Sequence, residues 1–200
     1  LAPWKSLDDV VEFVRSQRAL NGRGLPKTWY VPDDVEIPGD ADKKRILMEG
    51  VMRYDTALAI IALIQGGDKK TAAEILDFYQ RGMYGNMELR AYPNPNNRGT
   101  ADGKDPFTEF DVRTHYYFNS TRASGIWGPE WKFWNVHTGP NAWLALAAVL
   151  YTDKFKDRRF LPLAGKIGDA MIRLQDKGAL GGVRYGPKGQ FHPSGDLNRA

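Results

Sequence analysis

Tyr54-Asp55-Thr56-Ala57-Leu58-Ala59-Ile60-Ile61-Ala62-Leu63 returns downstream, in degenerate form, as Asn141-Ala142-Trp143-Leu144-Ala145-Leu146-Ala147-Ala148-Val149-Leu150. Each copy reads as a short, almost wholly apolar helix, followed by a charged turn and a second, amphipathic helix. The two units also finish alike, in Gly85-Asn86-Met87-Glu88-Leu89-Arg90-Ala91-Tyr92 and in Gly181-Gly182-Val183-Arg184-Tyr185. A unit that cannot bury its apolar face alone must stack on its own kind, so the repeat predicts an array or toroid of helical hairpins. The expected fold class is therefore mainly all-α, a complete or incomplete toroid whose long loops carry short β-strands.

Working outward from the repeat, a first helix is expected from Leu7 to about Ala19. Ser6 is its N-cap, Asp8 and Asp9 lie in its first turn, and Val10, Val11, Phe13 and Val14 form its buried face. Leu25 to Lys44, with three Pro and the pair Trp29-Tyr30, reads as a long ordered loop. The second helix covers Thr56 to Gln65, with Ile46 as its earliest start, and Gly66-Gly67 ends it. The third runs from about Lys70 to Arg81 and buries Ala72, Ala73, Ile75, Leu76 and Tyr79 at helical spacing. The fourth is Asn141 to Tyr151 and the fifth about Leu161 to Leu174. Between the third and fourth, Gly82 to Gly139 is a long aromatic stretch with two expected strands, Met87 to Tyr92 and Val112 to Phe118. Loops of that length in a compact domain usually carry function.

The pattern of polarity orders these helices. The second and fourth are apolar on every side, which suits an inner ring; Ala59, Ile60, Leu63, Leu146 and Ala147 are expected to be buried between neighbours. The third and fifth are amphipathic, which suits an outer ring with one wet face, leaving Lys70 and Glu74 in solvent. The charged turns then gather at one end and the long loops at the other.

Composition narrows the alternatives. Two hundred residues with 42% hydrophobic and 12% aromatic content are enough for one core, so residues 1–200 are expected to form a single domain. The longest apolar run, Ala142 to Tyr151, is about half of the roughly 20 residues a membrane-spanning helix needs. The net charge of +4 comes from scattered bases. Their densest clusters, Asp42-Lys43-Lys44-Arg45 and Lys154-Phe155-Lys156-Asp157-Arg158-Arg159, are mixed with acids and read as solvated turns, not as a nucleic-acid surface. With no cysteine, neither a disulfide scaffold nor a thiolate metal site is available, and a periplasmic or secreted location fits as well as a cytosolic one. The chain begins at Leu1 without a basic and apolar leader, as a chain freed of a signal peptide or tag would.

Arg53-Tyr54-Asp55-Thr56-Ala57-Leu58-Ala59-Ile60-Ile61-Ala62-Leu63, followed by Gly66-Gly67-Asp68 and Ala73-Glu74-Ile75-Leu76-Asp77-Phe78, resembles the hairpins of six-hairpin, or (α/α)-toroid, glycosidases and polysaccharide lyases. Gly139-Pro140-Asn141-Ala142-Trp143-Leu144-Ala145-Leu146-Ala147 is similar to another of their inner-helix starts. The resemblance covers roughly residues 45 to 185 and is more specific for fold than for reaction. It implies a carbohydrate-active enzyme of the bacterial periplasm or exterior, acting on a polysaccharide or oligosaccharide without a cofactor. A closed ring of that family has about a dozen helices, so five helices supply at most half. A missing C-terminal half or a partner chain would complete the ring.

Glycoside hydrolysis generally needs two carboxyl groups, one to protonate the leaving oxygen and one to activate water or attack directly. Asp55, Glu109, Asp111 and Glu130 are the catalytic candidates. Asp55 stands foremost because the resemblance places catalytic and sugar-contacting groups at inner-helix starts, with Tyr54 and Asn141 as substrate contacts. The competing reading of Asp55 is a capping or first-turn acid stabilised by the helix dipole. Glu109 and Asp111, two apart on extended chain, would share a face. A lyase instead needs a cation or amide to neutralise a uronate and a Tyr or His to take the α-proton. Arg113, His115, Tyr117 and Asn119 alternate on one strand face and offer that set. The competing reading there is aromatic strand packing.

Trp127, Trp131 and Trp134, with Glu130 and His137 between or beside them, form the densest aromatic patch. Sugar rings stack their apolar faces on indoles while flanking polar groups bind hydroxyls, so the patch is a substrate-binding candidate as well as a candidate loop-pinning cluster. Metal binding has little support. His115, His137 and His192 form no ligand pair, and Asn94-Pro95-Asn96-Asn97-Arg98-Gly99 carries Arg98 where a calcium loop needs a ligand. No phosphate-binding loop, dinucleotide fingerprint or nucleophile elbow is present.

Overall fold

The structure is a computed structural model that describes residues 5–19, 24–32, 34–39, 51–83, 116–117, 138–179 and 181–183. Within them the chain is mainly helical. The order is α1 (Leu7–Ala19), β1 (Val51–Met52), α2 (Arg53–Gln65), α3 (Lys69–Met83), β2 (Tyr116–Tyr117), α4 (Thr138–Phe155) and α5 (Leu161–Leu174). β1 and β2 are one antiparallel pair, Val51 opposite Tyr117 and Met52 opposite Tyr116. The expected strand over Met87 to Tyr92 lies outside the described residues. Of the strand expected over Val112 to Phe118, the described part is β2.

Local chemistry sets the helix ends. At the start of α1 the Ser6 hydroxyl accepts the Asp9 amide at 3.2 Å, and the Asp9 carboxylate accepts the Ser6 and Lys5 amides at 2.9 and 2.7 Å. This reciprocal cap satisfies amides that the helix leaves without partners. Val11 and Val14 are buried, whereas Val10 and Phe13 are half-buried. The α2–α3 turn closes on Gly67, whose φ of 78° only glycine adopts without strain. The Gly67 amide donates to the Ile64 carbonyl and the Asp68 amide to the Leu63 carbonyl, the paired bonds of a Schellman ending. Asp68 then caps α3 by accepting the Thr71 amide at 3.1 Å, and receives Arg15 Nε from α1 at 2.7 Å.

Burial would raise the Asp68 pKa, but the bonds from Thr71 and Arg15 outweigh it and hold the carboxyl below its ordinary range. A depressed folded-state pKa gives stability that is present above the unfolded value and lost as pH falls through the folded one. Asp68→Ala is therefore expected to lower stability by about 1 kcal/mol at neutral pH, and the deficit should shrink below about pH 4. Urea titrations at several pH values read both. Gly67→Ala should cost a further ~1 kcal/mol from backbone strain alone, because nothing lies within 4 Å of the added carbon. Gly66→Ala should cost more, since its new carbon would run into Val11 Cγ2.

The two hairpins, α2–α3 and α4–α5, stand side by side with α1 against α2. α2 packs most extensively on α4, and each also packs on the helix that follows it. Arg53 meets Asn141, and Tyr54 meets Trp143, so the N-terminal ends of α2 and α4 coincide and the two helices run the same way. At the opposite end Lys69 Nζ reaches Asp157 at 3.3 Å and ties the two hairpin turns together. The second turn is further fixed by Arg159, which donates to Asp157 and to the Tyr151 hydroxyl. This is the basic cluster read from sequence as a solvated turn.

The core runs between the hairpins: Ala57, Ile60, Leu63, Ile64, Ile75, Leu76, Leu144, Ala147, Ala148, Tyr151, Phe160 and Leu163 are all buried. The five apolar positions expected to face inward on α3 do so, and Lys70 and Glu74 are exposed. The expectation for the inner helices needs correction. Ile60, Leu63 and Ala147 are buried and Ala59 is half-buried, but Leu146 is 42% exposed. α4 is strongly apolar, yet Trp143, Leu146 and Val149 on one of its sides are all exposed. No helix among the described residues is long and apolar enough to cross a membrane.

Candidate functional site

The coincident N-terminal ends of α2 and α4 gather polar groups onto an apolar core. Arg53 opens α2 and is buried, its Nη1 donating to Asn141 Oδ1 at 2.6 Å. The guanidinium also lies over the Tyr79 ring, 5.4 Å from its centroid. Arg53 is inward-facing because it shares a helical face with Thr56, Ala57 and Ile60, all of them fully buried. Tyr79 reaches the cluster from α3; burial raises its pKa, opposed by the Arg53 charge and reinforced by that of Asp55. Thus α2, α3 and α4 each contribute a side chain.

Asp55 stands in the first turn of α2 and is half-buried. It is not the cap, because the helix begins at Arg53, between the expected limits of Ile46 and Thr56, which leaves Asp55 as a first-turn acid. Burial raises its pKa, and a hydrogen bond from the Thr28 hydroxyl offsets part of that rise. The loop before β1 therefore supplies a direct partner to the carboxyl. A carboxyl whose proton is held more tightly than usual is suited to donating it to a leaving group.

Among the sequence candidates, the structure brings Tyr54, Asp55 and Asn141 together at this end. Tyr54 is 39% exposed and meets Trp143 edge to face at 6.0 Å between ring centroids. Asn141 is 5% exposed, so its described role is to hold Arg53. Tyr117 lies opposite Val51 in the strand pair, immediately ahead of α2. Glu109, Asp111, Arg113, His115, Asn119, Trp127, Glu130, Trp131, Trp134 and His137 lie outside the described residues. Arg53 and Tyr79 were not candidates from sequence. The available signal was an arginine falling on the same helical stripe as Ala57 and Ile60.

No known family model matches the chain, and neither the curated proteins nor the solved structures include a significant match to it.

Proposed function

We propose that this chain is the helical-hairpin part of a carbohydrate-active protein, an arc of an (α/α) toroid that hydrolyses glycosidic bonds in the bacterial envelope or outside the cell. The observation that carries the reading is Asp55, a half-buried carboxyl with a raised pKa at the end shared by two parallel apolar helices. A general acid for glycoside cleavage holds its proton more tightly than an exposed carboxyl does, and burial acts in that direction. Tyr117 and Thr138, which flank the segment holding Trp127, Trp131 and Trp134, stand at the same end. A sugar-stacking role for the indoles is part of the proposal and rests on their spacing in the sequence. The second carboxyl would come from Glu109, Asp111 or Glu130.

A non-catalytic reading, as a glycan- or protein-binding arc of a larger assembly, is favoured by one observation: the exposed apolar side of α4. Incubation with neutral and uronate-containing polysaccharides separates the outcomes. Hydrolysis releases reducing ends, and the proposal expects these. Lyase action gives an unsaturated uronate with ultraviolet absorbance. A shift in intrinsic Trp fluorescence with oligosaccharide, without turnover on either class, indicates binding alone and overturns the hydrolase reading.

A further inference from the structure

The loop over residues 24–32 is anchored on both sides of Thr28. Gly24 turns the chain with a φ of 72°, and Leu25 and Pro26 after it are buried, Leu25 within the main core. Further on, the Tyr30 ring meets Phe13 of α1 edge to face, 6.1 Å between centroids, and α1 itself packs on α2. Thr28 lies midway between Pro26 and Tyr30, half-buried, and its hydroxyl donates to the Asp55 carboxyl. Asp55 stands in the first turn of α2, where the next residue, Thr56, is fully buried. Donor and acceptor are thus both carried by backbone that neighbouring contacts hold in place.

We propose that Thr28 is a positioning residue for Asp55: its hydroxyl donates to one carboxyl oxygen and so confines the proton of the acid form to the other. A hydroxyl has one hydrogen to give, and an uncharged carboxyl has one oxygen that carries hydrogen and one that only accepts. With the accepting oxygen turned to Thr28, the acid proton is left on the oxygen that Thr28 does not engage. The same bond favours the ionised form against burial, so it keeps the carboxyl able to release the proton it holds. Tyr79 on α3, within reach of the Asp55 charge, stays neutral because burial raises its pKa. Arg53 is engaged with the uncharged Asn141 of α4. Lys27 and Tyr30 near Thr28, and Tyr54 next to Asp55, are the same in every variant below, so differences between variants report Asp55. The consequence for proton delivery rests on the hydrolase reading above; the hold on Asp55 does not.

Thr28→Val removes the donor at nearly constant shape, Thr28→Ala removes it without filling the space, and Thr28→Ser keeps it. The Asp55 carboxyl is titrated by carboxyl-carbon NMR, its signal identified by its loss in Asp55→Asn. Thr28→Val and Thr28→Ala should titrate at higher pH than the parent, and Thr28→Ser with the parent; if one donorless variant unfolds, the other gives the same reading. Stability carries the matching sign. The lost bond favoured the ionised form, so Thr28→Val should fall further below the parent in melting temperature as pH rises through the Asp55 titration. In an Asp55→Asn background that pH dependence should vanish. On a polysaccharide that the parent hydrolyses, Thr28→Val should lower kcat by up to about 100-fold with KM little changed, and Thr28→Ser should restore it. Donorless variants that titrate with the parent, or a Thr28→Ser chain shifted as far as Thr28→Val, overturn the proposal. A shifted titration with parental kcat overturns the positioning role. A parent chain that hydrolyses no polysaccharide overturns the hydrolase reading alone, and the titrations still decide whether Thr28 holds Asp55.

Discussion

If Asp55 is the proposed general acid, Asp55→Asn is expected to lower hydrolysis by about 100- to 10,000-fold, the range a general acid contributes, while leaving the melting temperature at neutral pH equal or higher. The two halves of that result have one cause. Burial raises the Asp55 pKa in the folded chain, so the folded state binds this proton more readily than the unfolded state does. Ionising the group therefore removes stability as pH rises from the ordinary carboxylate pKa through the raised one. An amide of the same shape has no charge to desolvate and can still accept from Thr28. Melting curves of the parent and Asp55→Asn should accordingly coincide in acid and separate toward neutral pH, with the variant the more stable. A purely structural acid predicts the reverse pair of results: a less stable variant with unaltered turnover. That outcome would remove Asp55 from catalysis.

How much of this was legible in the sequence depended on whether the deciding physics was local. The start of α1 and the end of α2 were readable, because a capping serine and paired glycines act within a few residues. α3 was readable from its periodic apolar face. The start of α2 was bracketed only between Ile46 and Thr56, since no capping side chain announces it and Val51–Met52 pairs instead with a segment far along the chain. α4 starts at Thr138, earlier than expected, because Gly139 and Pro140 look like a boundary although proline is tolerated in a first turn. The exposure of Leu146 was beyond reach for another reason. A helix that is apolar all round reports that its sides can be buried, not how many neighbours are present to bury them.

Within the site, Asp55 and Asn141 could be named from their places at repeated helix starts. Their roles could not. Asn141, named as a substrate contact, is 5% exposed and accepts a hydrogen bond from Arg53. Arginine is usually a surface residue, so sequence alone does not single out Arg53. Its burial follows from three elements converging, which no window of sequence contains.

Arg53→Ala is the substitution expected to destabilise the chain most, by about 3 to 5 kcal/mol. The guanidinium is 1% exposed, bonds to Asn141 Oδ1 and lies over Tyr79. Truncation would open a cavity between α2, α3 and α4 and leave the buried Asn141 oxygen without this donor. Arg53→Met fills most of the volume but restores no donor, so it should cost about 1 to 3 kcal/mol. Adding Asn141→Leu to Arg53→Met removes the acceptor of this bond as well, and the double variant should recover part of that loss, because replacing both partners of a buried polar pair can be nearly neutral. Urea unfolding with an unchanged slope reads all three free energies and their coupling. The double variant also separates stability from function. If Arg53 and Asn141 only hold α2 and α4 in register, the stable Met–Leu pair keeps hydrolysis; if the guanidinium also sets the polarity around Asp55, hydrolysis falls and its pH optimum moves even though the fold is intact. An Arg53→Ala chain within 1 kcal/mol of the parent would show that the contact does not hold the helices together.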